Sequence, residues 1–589
     1  VWELPETATP HVLRDYAFLA DGHRGVLVGP QGDCAWLCFP GWSDPAVFGS
    51  LIGSGGQYLV QPSGRWVWGG YYDDGTLIWT SRWVTRSGIF ESREALVYPG
   101  DPERAVLLRR LRAVDRAGRM LVVLEPRADY GRQSVGRWTR TGTCWRARGH
   151  GMEVRWWGAP GAVVRRVGRR RRLELELSLE PGQAHDLVLE FRTDGSGPVA
   201  DDAEPDAERL WETTEKSWNE AVPDCRGIVA ARDVRRSYAV LRGMTGPEGG
   251  TVAAATTSLP ERVEGKRNYD YRYIWIRDTC WVGRAGAALP GGEPMLDDAV
   301  RFVTARLLAD GDTLAPAYLP DGSSVPGVTE LDLPGYPGGS DVIGNRVNEQ
   351  FQLDTFGEAL LLFATAAAGG RLDADGWRAA QVAADAIERR WAEPEAGLWE
   401  LSPPCQWTSS KLLCVAGLRA LCRNGAPSDW TARYLTLADR ILAEVSERSV
   451  HESGRWQRAP DDERVDASLL LAQIRDAVPP GDPRSAATRA AVLEDLTDDD
   501  YVYRYARPGE PLGETEGAFL ICNFWLSMAA WSAGDTEGGV RWFERARTSA
   551  GPPGLLAEEV DATQHQLRGN LPQAFVHAAL IEAAVAQTG

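Results

Sequence analysis

Metal and disulfide chemistry have little to work with in this chain. Only seven of its 589 residues are His, and they are scattered. They form no metal-ligand cluster, so neither a metal nor any other cofactor is expected. The nine Cys include no Cys-x-x-Cys pair, and Cys34 and Cys38 are the only near neighbours. An odd, sparse set of this kind reads as reduced, mostly buried thiols rather than a disulfide framework. No run approaches the roughly 18 apolar residues that a membrane span needs. Basic excess is absent too. The net charge of −18 argues against nucleic acid and anionic membrane as partners. The opening Val1-Trp2-Glu3-Leu4 lacks the basic-then-apolar order of a secretion signal. A cytoplasmic location is therefore the expectation. The chain begins on Val1 and not on Met, which leaves room for an upstream segment.

What is present is a globular composition, 43% hydrophobic and 25% charged, with an unusual 24 Trp. Most of those indoles belong in cores, but a surplus also suits stacking on flat sugar faces. The length calls for two or more domains. From about Val12 to Arg192, short apolar or alternating runs recur between Gly/Pro turns such as Gly29-Pro30-Gln31-Gly32-Asp33. The clearest run is Leu173-Glu174-Leu175-Glu176-Leu177-Ser178-Leu179, a strict period of two. This stretch, residues 1–200, is expected to be an antiparallel β-sandwich. Its basic run Arg165 to Arg172 reads as a solvated hairpin tip. A loop from Pro198 to Pro205 and a helix from Ala207 to Asn219 follow, making 201–227 a linker.

Residues 228–589 read as helix after helix. The periodic runs fall near 229–244, 275–289, 295–309, 350–369, 375–391, 410–424, 430–446, 466–474, 484–496, 516–533, 536–549 and 571–587. Hairpin pairs of roughly 60 residues suit a helical toroid. Six inner and six outer helices would bring the loops of one end around a central pit. The expected architecture is thus α+β: an N-terminal antiparallel β-sandwich followed by an (α/α)6 barrel.

Candidate chemistry lies between the helices. Arg267 to Asp278 mixes rings with Arg and Asp, which suits an uncharged polyol. Gly335 to Asn345 is a long Gly/Pro loop carrying Tyr336, and it leads to Gln350, Gln352 and Asp354 at a helix start. Gly397-Leu398-Trp399-Glu400 ends a helix-like run in a carboxylate beside an indole, and Glu558-Glu559 offers a second carboxylate far along the chain. Facing each other across a pit, two such groups could cleave a glycosidic bond, one protonating the leaving oxygen and the other attacking or activating water.

Several stretches together resemble glycoside hydrolase family 15, the glucoamylase-like enzymes, especially its bacterial glucoamylases and actinobacterial trehalases. They include Ala35-Trp36-Leu37-Cys38-Phe39-Pro40, Tyr273-Ile274-Trp275-Ile276-Arg277-Asp278, Gly397-Leu398-Trp399-Glu400, Tyr503-Arg504-Tyr505 and Gly569-Asn570-Leu571-Pro572-Gln573-Ala574-Phe575. The resemblance runs nearly the whole length. It implies an exo-acting, inverting α-glucoside hydrolase that releases β-glucose from the non-reducing end of an α-glucan oligosaccharide such as a maltooligosaccharide, with a trehalase of the same family as the alternative and a small carbohydrate as the partner in either case. By position, Glu400 matches the family's general acid and Glu558 its general base. Arg277, Asp278 and Arg504 match residues holding the terminal glucosyl unit, with Tyr271, Trp275 and Trp399 as the surrounding rings. Tyr336, Gln352, Trp407, Lys411 and Glu559 are further candidates for substrate contact.

Inversion needs room for a water, so the two carboxyls are expected roughly 6.5–9.5 Å apart. Glu400 is expected to owe a raised pKa to the apolar Leu398 and Trp399, and Glu558 to stay ionised through hydrogen bonds or solvent. Two departures bear on the leaving group. Many bacterial relatives have an Arg before the Gly-Asn that is Gly344-Asn345 here, and a His or Arg before the Ser-Lys that is Ser410-Lys411 here. A glucan oligosaccharide, an isomaltose-type sugar and trehalose all remain open as substrates, as do a phosphorylase and a non-catalytic glucan-binding role. Oligomeric state is left open.

Overall fold

The computed structural model describes residues 9–168, 170–195, 204–262 and 267–589. The N-terminal part is all-antiparallel. One sheet of eight strands runs in the order Thr139–Thr141, Cys144–Gly149, Met152–Trp157, Ala184–Thr193, Arg104–Ala113, Ile89–Leu96, Trp79–Thr85 and Trp66–Tyr72. Opposite it lie a four-stranded sheet, Val163–Val167, Arg170–Leu179, Gly118–Glu125 and Gln57–Pro62, and a meander from Ala17 to Phe48. A bridge between Asp33 and Leu59 joins these two. Phe39 and Phe48 both pack on Phe191 across the sandwich, and Tyr58 packs edge-on to Trp156. In the strand of strict alternation Leu173, Leu175 and Leu179 are buried while Glu176 and Ser178 are exposed. The basic run lies on the hairpin formed by Val163–Val167 and Arg170–Leu179; Arg165, Arg166 and Arg171 are exposed and Arg172 is buried. Arg169 and most of the expected Pro198–Pro205 loop fall outside the described residues.

Helix α1, Ala207–Ala221, is capped by Asp206, whose side chain accepts from the Arg209 N–H. Its Trp211, Thr214 and Trp218 stripe is buried. Trp218 stacks on Tyr98 at 4.0 Å, and the Arg93 guanidinium covers Trp211, so the helix is docked on the sandwich.

Twelve further helices follow among the described residues: α2 (Ala231–Met244), α3 (Ile276–Ala287), α4 (Glu293–Asp310), α5 (Asp354–Ala368), α6 (Ala374–Arg390), α7 (Thr408–Arg423), α8 (Ser428–Arg448), α9 (Leu471–Ile474), α10 (Pro483–Asp495), α11 (Leu520–Ser532), α12 (Thr536–Arg547) and α13 (Ala574–Ala586). Contacts run α3 to α5, α5 to α7, α7 to α9, α9 to α11, α11 to α13, and α13 back to α3, which closes an inner ring. The sequence explains the sorting. From Leu520 to Ala530, α11 is buried on every side, as an inner helix must be. Outer α8 buries one stripe, Tyr434, Leu437, Ala438, Ile441 and Val445. The fourth inner helix, α9, is shorter than its periodicity predicts. A 3-10 turn at Ala467–Leu470 replaces its start, and Asp476, with φ of 57°, turns the chain ahead of Pro479 and Pro480. All nine Cys are free, seven of them buried. No helix among the described residues is long and apolar enough to cross a membrane.

Candidate active site

A pocket of about 560 Å³ opens at one end of the inner ring. Helices α3, α5, α7, α11 and α13 turn their N-terminal ends, or the residues just before them, toward it. This alignment gathers the positive ends of several helix dipoles around one cavity, a setting that accommodates an unusual density of carboxylates. Trp281, Trp525 and Phe575 close the bottom, with Trp281 edge-on to both of the others.

Glu400 and Glu558 both line this pocket. Their loops precede α7 and α13, the third and sixth members of the inner ring, so the two carboxylates enter from opposed sides. Glu400 has φ of 55° and follows Gly397, whose φ is 71°. A Cβ at residue 397 would stand 2.6 Å from the Trp407 ring, so only Gly lets the turn close. The Glu395 carboxylate pins the turn by accepting from the Gly397 N–H at 2.6 Å and the Leu353 N–H at 3.2 Å. Glu400 then accepts from Trp275 Nε1 at 2.8 Å and lies 3.6 Å from Arg277 Nη2, with a quarter of its side chain exposed. The expected apolar surround is therefore displaced by an indole N–H and a guanidinium. Leu398 and Trp399 flank the loop, but Trp399 donates its Nε1 to Asp466 at 2.8 Å and packs on Phe519 and Trp525.

Arg277 donates to Gln352 at 2.7 Å and to Asp354 at 3.3 Å, and stands 3.9 Å from Asp278. Burial pushes Asp278 up to about 7, Glu400 adds to the rise and Arg277 opposes it. Glu395, also buried and close to Asp354, is pushed up to about 8. Tyr271 stands edge-on to Trp275, with ring centroids 5.6 Å apart, and stacks with Tyr269. Burial, then Glu558, raises its phenol well above the usual range. Arg504 is held bidentate by Glu516 at 3.0 and 2.6 Å and lies over Phe519.

On the base side, Ala518–Phe519 pairs with Glu559–Asp561, and Leu520 N–H donates to the Glu558 carbonyl. Neutral His577 accepts from Leu556 N–H through Nε2, and its Nδ1 lies 2.9 Å from Ser237 Oγ; burial takes its pKa down to about 3. Glu558 was expected to have solvent or hydrogen-bond donors. Instead it is buried, its Oε2 has no partner, and burial followed by Glu261 raises its pKa well above normal, against the pull of Arg504 and Arg267. The carboxylates of Glu261, Glu558 and Glu559 lie within 4.8 Å of one another. Oxygen donors of this kind suit a hard cation, but Glu261 is already engaged by Arg267 Nε at 2.7 Å.

The pocket wall thus includes Glu400, Glu558, Tyr271, Trp275, Arg277, Asp278, Trp399 and Arg504. Five other candidates stand off it. Tyr336 donates to the His11 carbonyl in the sandwich. Gln352 is taken up by Arg277 from behind. Trp407 backs the Glu400 turn, donating to the Glu395 carbonyl. Lys411 is buried against Gln406 and Glu444. Glu559 lies behind Glu558, accepting from Gly517 N–H at 2.6 Å. Gln406, in the stretch that leads to Ser410-Lys411, serves Lys411 and the Ala392 carbonyl. Conversely, Arg346 lines the pocket directly after Gly344-Asn345, so a cation is present on that wall one residue past the motif. Sequence reasoning did not single out Arg346, Arg507 or Gln573. Charge or an amide in a loop carries no periodic signal.

The raised carboxyls fix a pH dependence. The unfolded chain titrates Asp278 near 3.8, so between there and about 7 the folded protein keeps a proton that the unfolded chain has lost. That contribution to stability is full below the lower value and disappears as pH rises through the upper one. Glu395 acts in the same sense up to about 8. Melting temperature is therefore expected to fall by a few degrees, on the order of 2–6 °C, between about pH 5.5 and 8.5. Scanning calorimetry checks this, and Asp278→Asn should flatten part of the slope.

The family model for glycosyl hydrolases family 15 matches residues 234–585, and that for the trehalase-like N-terminal domain matches residues 2–218. The chain is 31% identical over 623 residues to a trehalase of Mycobacterium tuberculosis, covering 97% of this chain and 89% of that protein. It is 30% identical over 625 residues to a trehalase of Mycolicibacterium smegmatis, covering 97% and 91%. A bacterial glucoamylase solved in complex with acarbose shares the fold, with a TM-score of 0.73 at 14% identity over 100% of this chain and 96% of that one. Barrel, pocket and sequence converge, and the chain belongs to glycosyl hydrolase family 15, a family of glycoside hydrolases.

Proposed function

We propose that this glycoside hydrolase cleaves trehalose with inversion, Glu400 acting as general acid and Glu558 as general base. The observation that carries the reading is the entry of these two carboxyls from opposed members of one closed-bottomed ring. The choice of trehalose over a maltooligosaccharide, the first expectation from sequence, rests on trehalases that match along nearly the whole chain. The glucoamylase-like reading keeps only the likeness of fold.

One glucosyl unit fills the bottom of the pocket, its hydroxyls facing Arg277 and Asp278 and its faces meeting Tyr271 and Trp399. The Glu400 proton passes to the glycosidic oxygen as the C–O bond breaks. Trp275 Nε1 and Arg277 then stabilise the carboxylate that remains. A water between Glu558 and the anomeric carbon attacks from the opposite face, giving its proton to Glu558. With Trp281, Trp525 and Phe575 below, a second sugar has no room beyond the first, so action is confined to a chain end.

Inversion at one of trehalose's two α-linked centres releases one β-glucose and one α-glucose. Proton NMR during the first turnovers should show equal amounts of the two anomers, and kcat/KM on trehalose should exceed that on maltose, isomaltose or panose by about 10²-fold or more. Release of α-glucose alone would overturn inversion. Preference for maltose would overturn the substrate.

A further inference from the structure

Four buried carboxyls crowd the base side of the pocket, and two of them have guanidinium partners. Glu261 accepts from Arg267 Nε at 2.7 Å, and Glu516 takes both arms of Arg504. Arg267 and Arg507 add longer contacts to Glu516, at 3.9 and 3.7 Å. Glu558 and Glu559 have no ion pair among the described residues, yet each leaves one oxygen buried without a partner, Oε2 of Glu558 and Oε1 of Glu559. These two side chains and Glu261 bring carboxylate oxygens within 4.8 Å of one another. Two unpaired acceptors on neighbouring carboxylates, away from solvent, are costly as two anions. One proton between them turns the pair into a donor and an acceptor and satisfies both orphaned atoms, directly or through one water.

We infer that Glu559 carries that proton and acts as a positioning residue, its carboxylic acid donating to Glu558 so that Glu558 is held ionised and aimed at the water it must deprotonate. The assignment within the pair follows from placement. Glu558 lines the pocket, whereas Glu559 is fully enclosed. The Gly517 N–H occupies Glu559 Oε2 at 2.6 Å, leaving Oε1 to bear the hydrogen. Gly517 permits this approach, since a Cβ there would stand 2.9 Å from that Oε2. The charged and titratable neighbours agree. Burial, then Glu261, Glu516 and Glu558, disfavours a second anion at Glu559, and Arg504 opposes them. Tyr503 and Cys522, which also feel Glu559, are neutral, and Asp561 is paired with Arg568 at 3.5 Å. The proton is not consumed. During hydrolysis the water O–H bond breaks toward Glu558, the new C–O bond forms, and the Glu559 O–H stays in place.

The role rests on the proposed hydrolysis, but the protonation state can be read separately. Glu559→Leu removes a donor and no charge. Glu558 then loses its stabilising partner, so the acidic limb of the kcat/KM profile on trehalose should move up by about one pH unit or more, with kcat down about 10²-fold and KM little changed. Glu559→Gln keeps an N–H donor and should recover most of that loss with a smaller upward shift. If Glu559 were an anion, either variant would remove a neighbouring negative charge and the limb would move down, which overturns the inference. A loss of kcat with the limb unmoved marks a packing role and also overturns it. So does failure of both variants to fold, because Gln replaces a neutral acid with a neutral donor of the same shape. If the wild-type protein hydrolyses none of the four sugars, the functional reading fails. The proton is then sought by infrared difference spectroscopy at pH 7, where wild type minus Glu559→Gln should show the carbonyl stretch of a protonated carboxylic acid, and its absence overturns the assignment.

Discussion

Glu400→Gln is expected to lower kcat on trehalose by about 10³-fold while leaving KM within severalfold. The amide keeps an acceptor for Trp275 Nε1, now at 2.8 Å from Glu400 Oε1, so the loop should hold its shape. What it cannot do is deliver a proton to the departing oxygen. Glu558→Gln should cost a similar factor for the opposite reason, since an amide takes no proton from the attacking water. Because both residues serve one transition state, the double variant should be little worse than either single one. Substrate choice separates the two roles. α-Glucosyl fluoride leaves as fluoride and needs little protonation, so Glu400→Gln should recover most of its rate on it while Glu558→Gln stays slow. Equal recovery of both variants, or recovery only of Glu558→Gln, would exchange or remove the assignments. Stopped-assay glucose release on the two substrates supplies the comparison.

Much of this arrangement was legible in the chain. Period and burial coincide in the barrel because an inner helix has no solvent side and an outer one has a single stripe, as α11 and α8 show. What the periodic reading lacks is depth. Trp399 and Trp407 look alike in sequence, yet one lines the pocket and the other braces the turn from behind. Gln352 was a plausible sugar reader at a helix start until Arg277, from another helix, claimed its oxygen. Two- and three-residue strands such as Ala518–Phe519 and Glu559–Asp561 are too short to show a period of two, so their pairing, which aims Glu558, left no trace. Glu558 and Glu559 are adjacent in sequence, and only the fold separates the one that meets substrate from the one behind it.

Arg272→Met should be the most damaging change outside the pocket, lowering stability by about 3–5 kcal/mol and kcat/KM by about 10-fold or more. Arg272 and Asp270 are both fully buried and paired at 2.7 Å. The guanidinium reaches out of the barrel into the sandwich, donating to the carbonyls of Trp42 and Asp44 and to the Tyr130 hydroxyl, and meeting Cys38 Sγ at 3.3 Å. Asp270 faces the other way, accepting from Gly344 N–H at 3.0 Å and the Tyr273 hydroxyl at 2.9 Å, while its carbonyl accepts from Asn345 Nδ2 at 3.2 Å. Gly344, Asn345 and Tyr271 are pocket wall, so one ion pair ties the sandwich to the substrate cavity. Met fills the space but leaves Asp270 an unpaired buried anion, and that is the source of the destabilisation. Adding Asp270→Asn removes the stranded charge and should restore most of the melting temperature. It should not restore kcat/KM, because the sandwich carbonyls lose their donors and the Gly344 loop is no longer anchored across the domain boundary. Calorimetry and trehalose kinetics on the single and double variants test both halves. A single variant with unchanged melting temperature, or a double variant with full activity, would show that the sandwich does not hold the pocket wall in place.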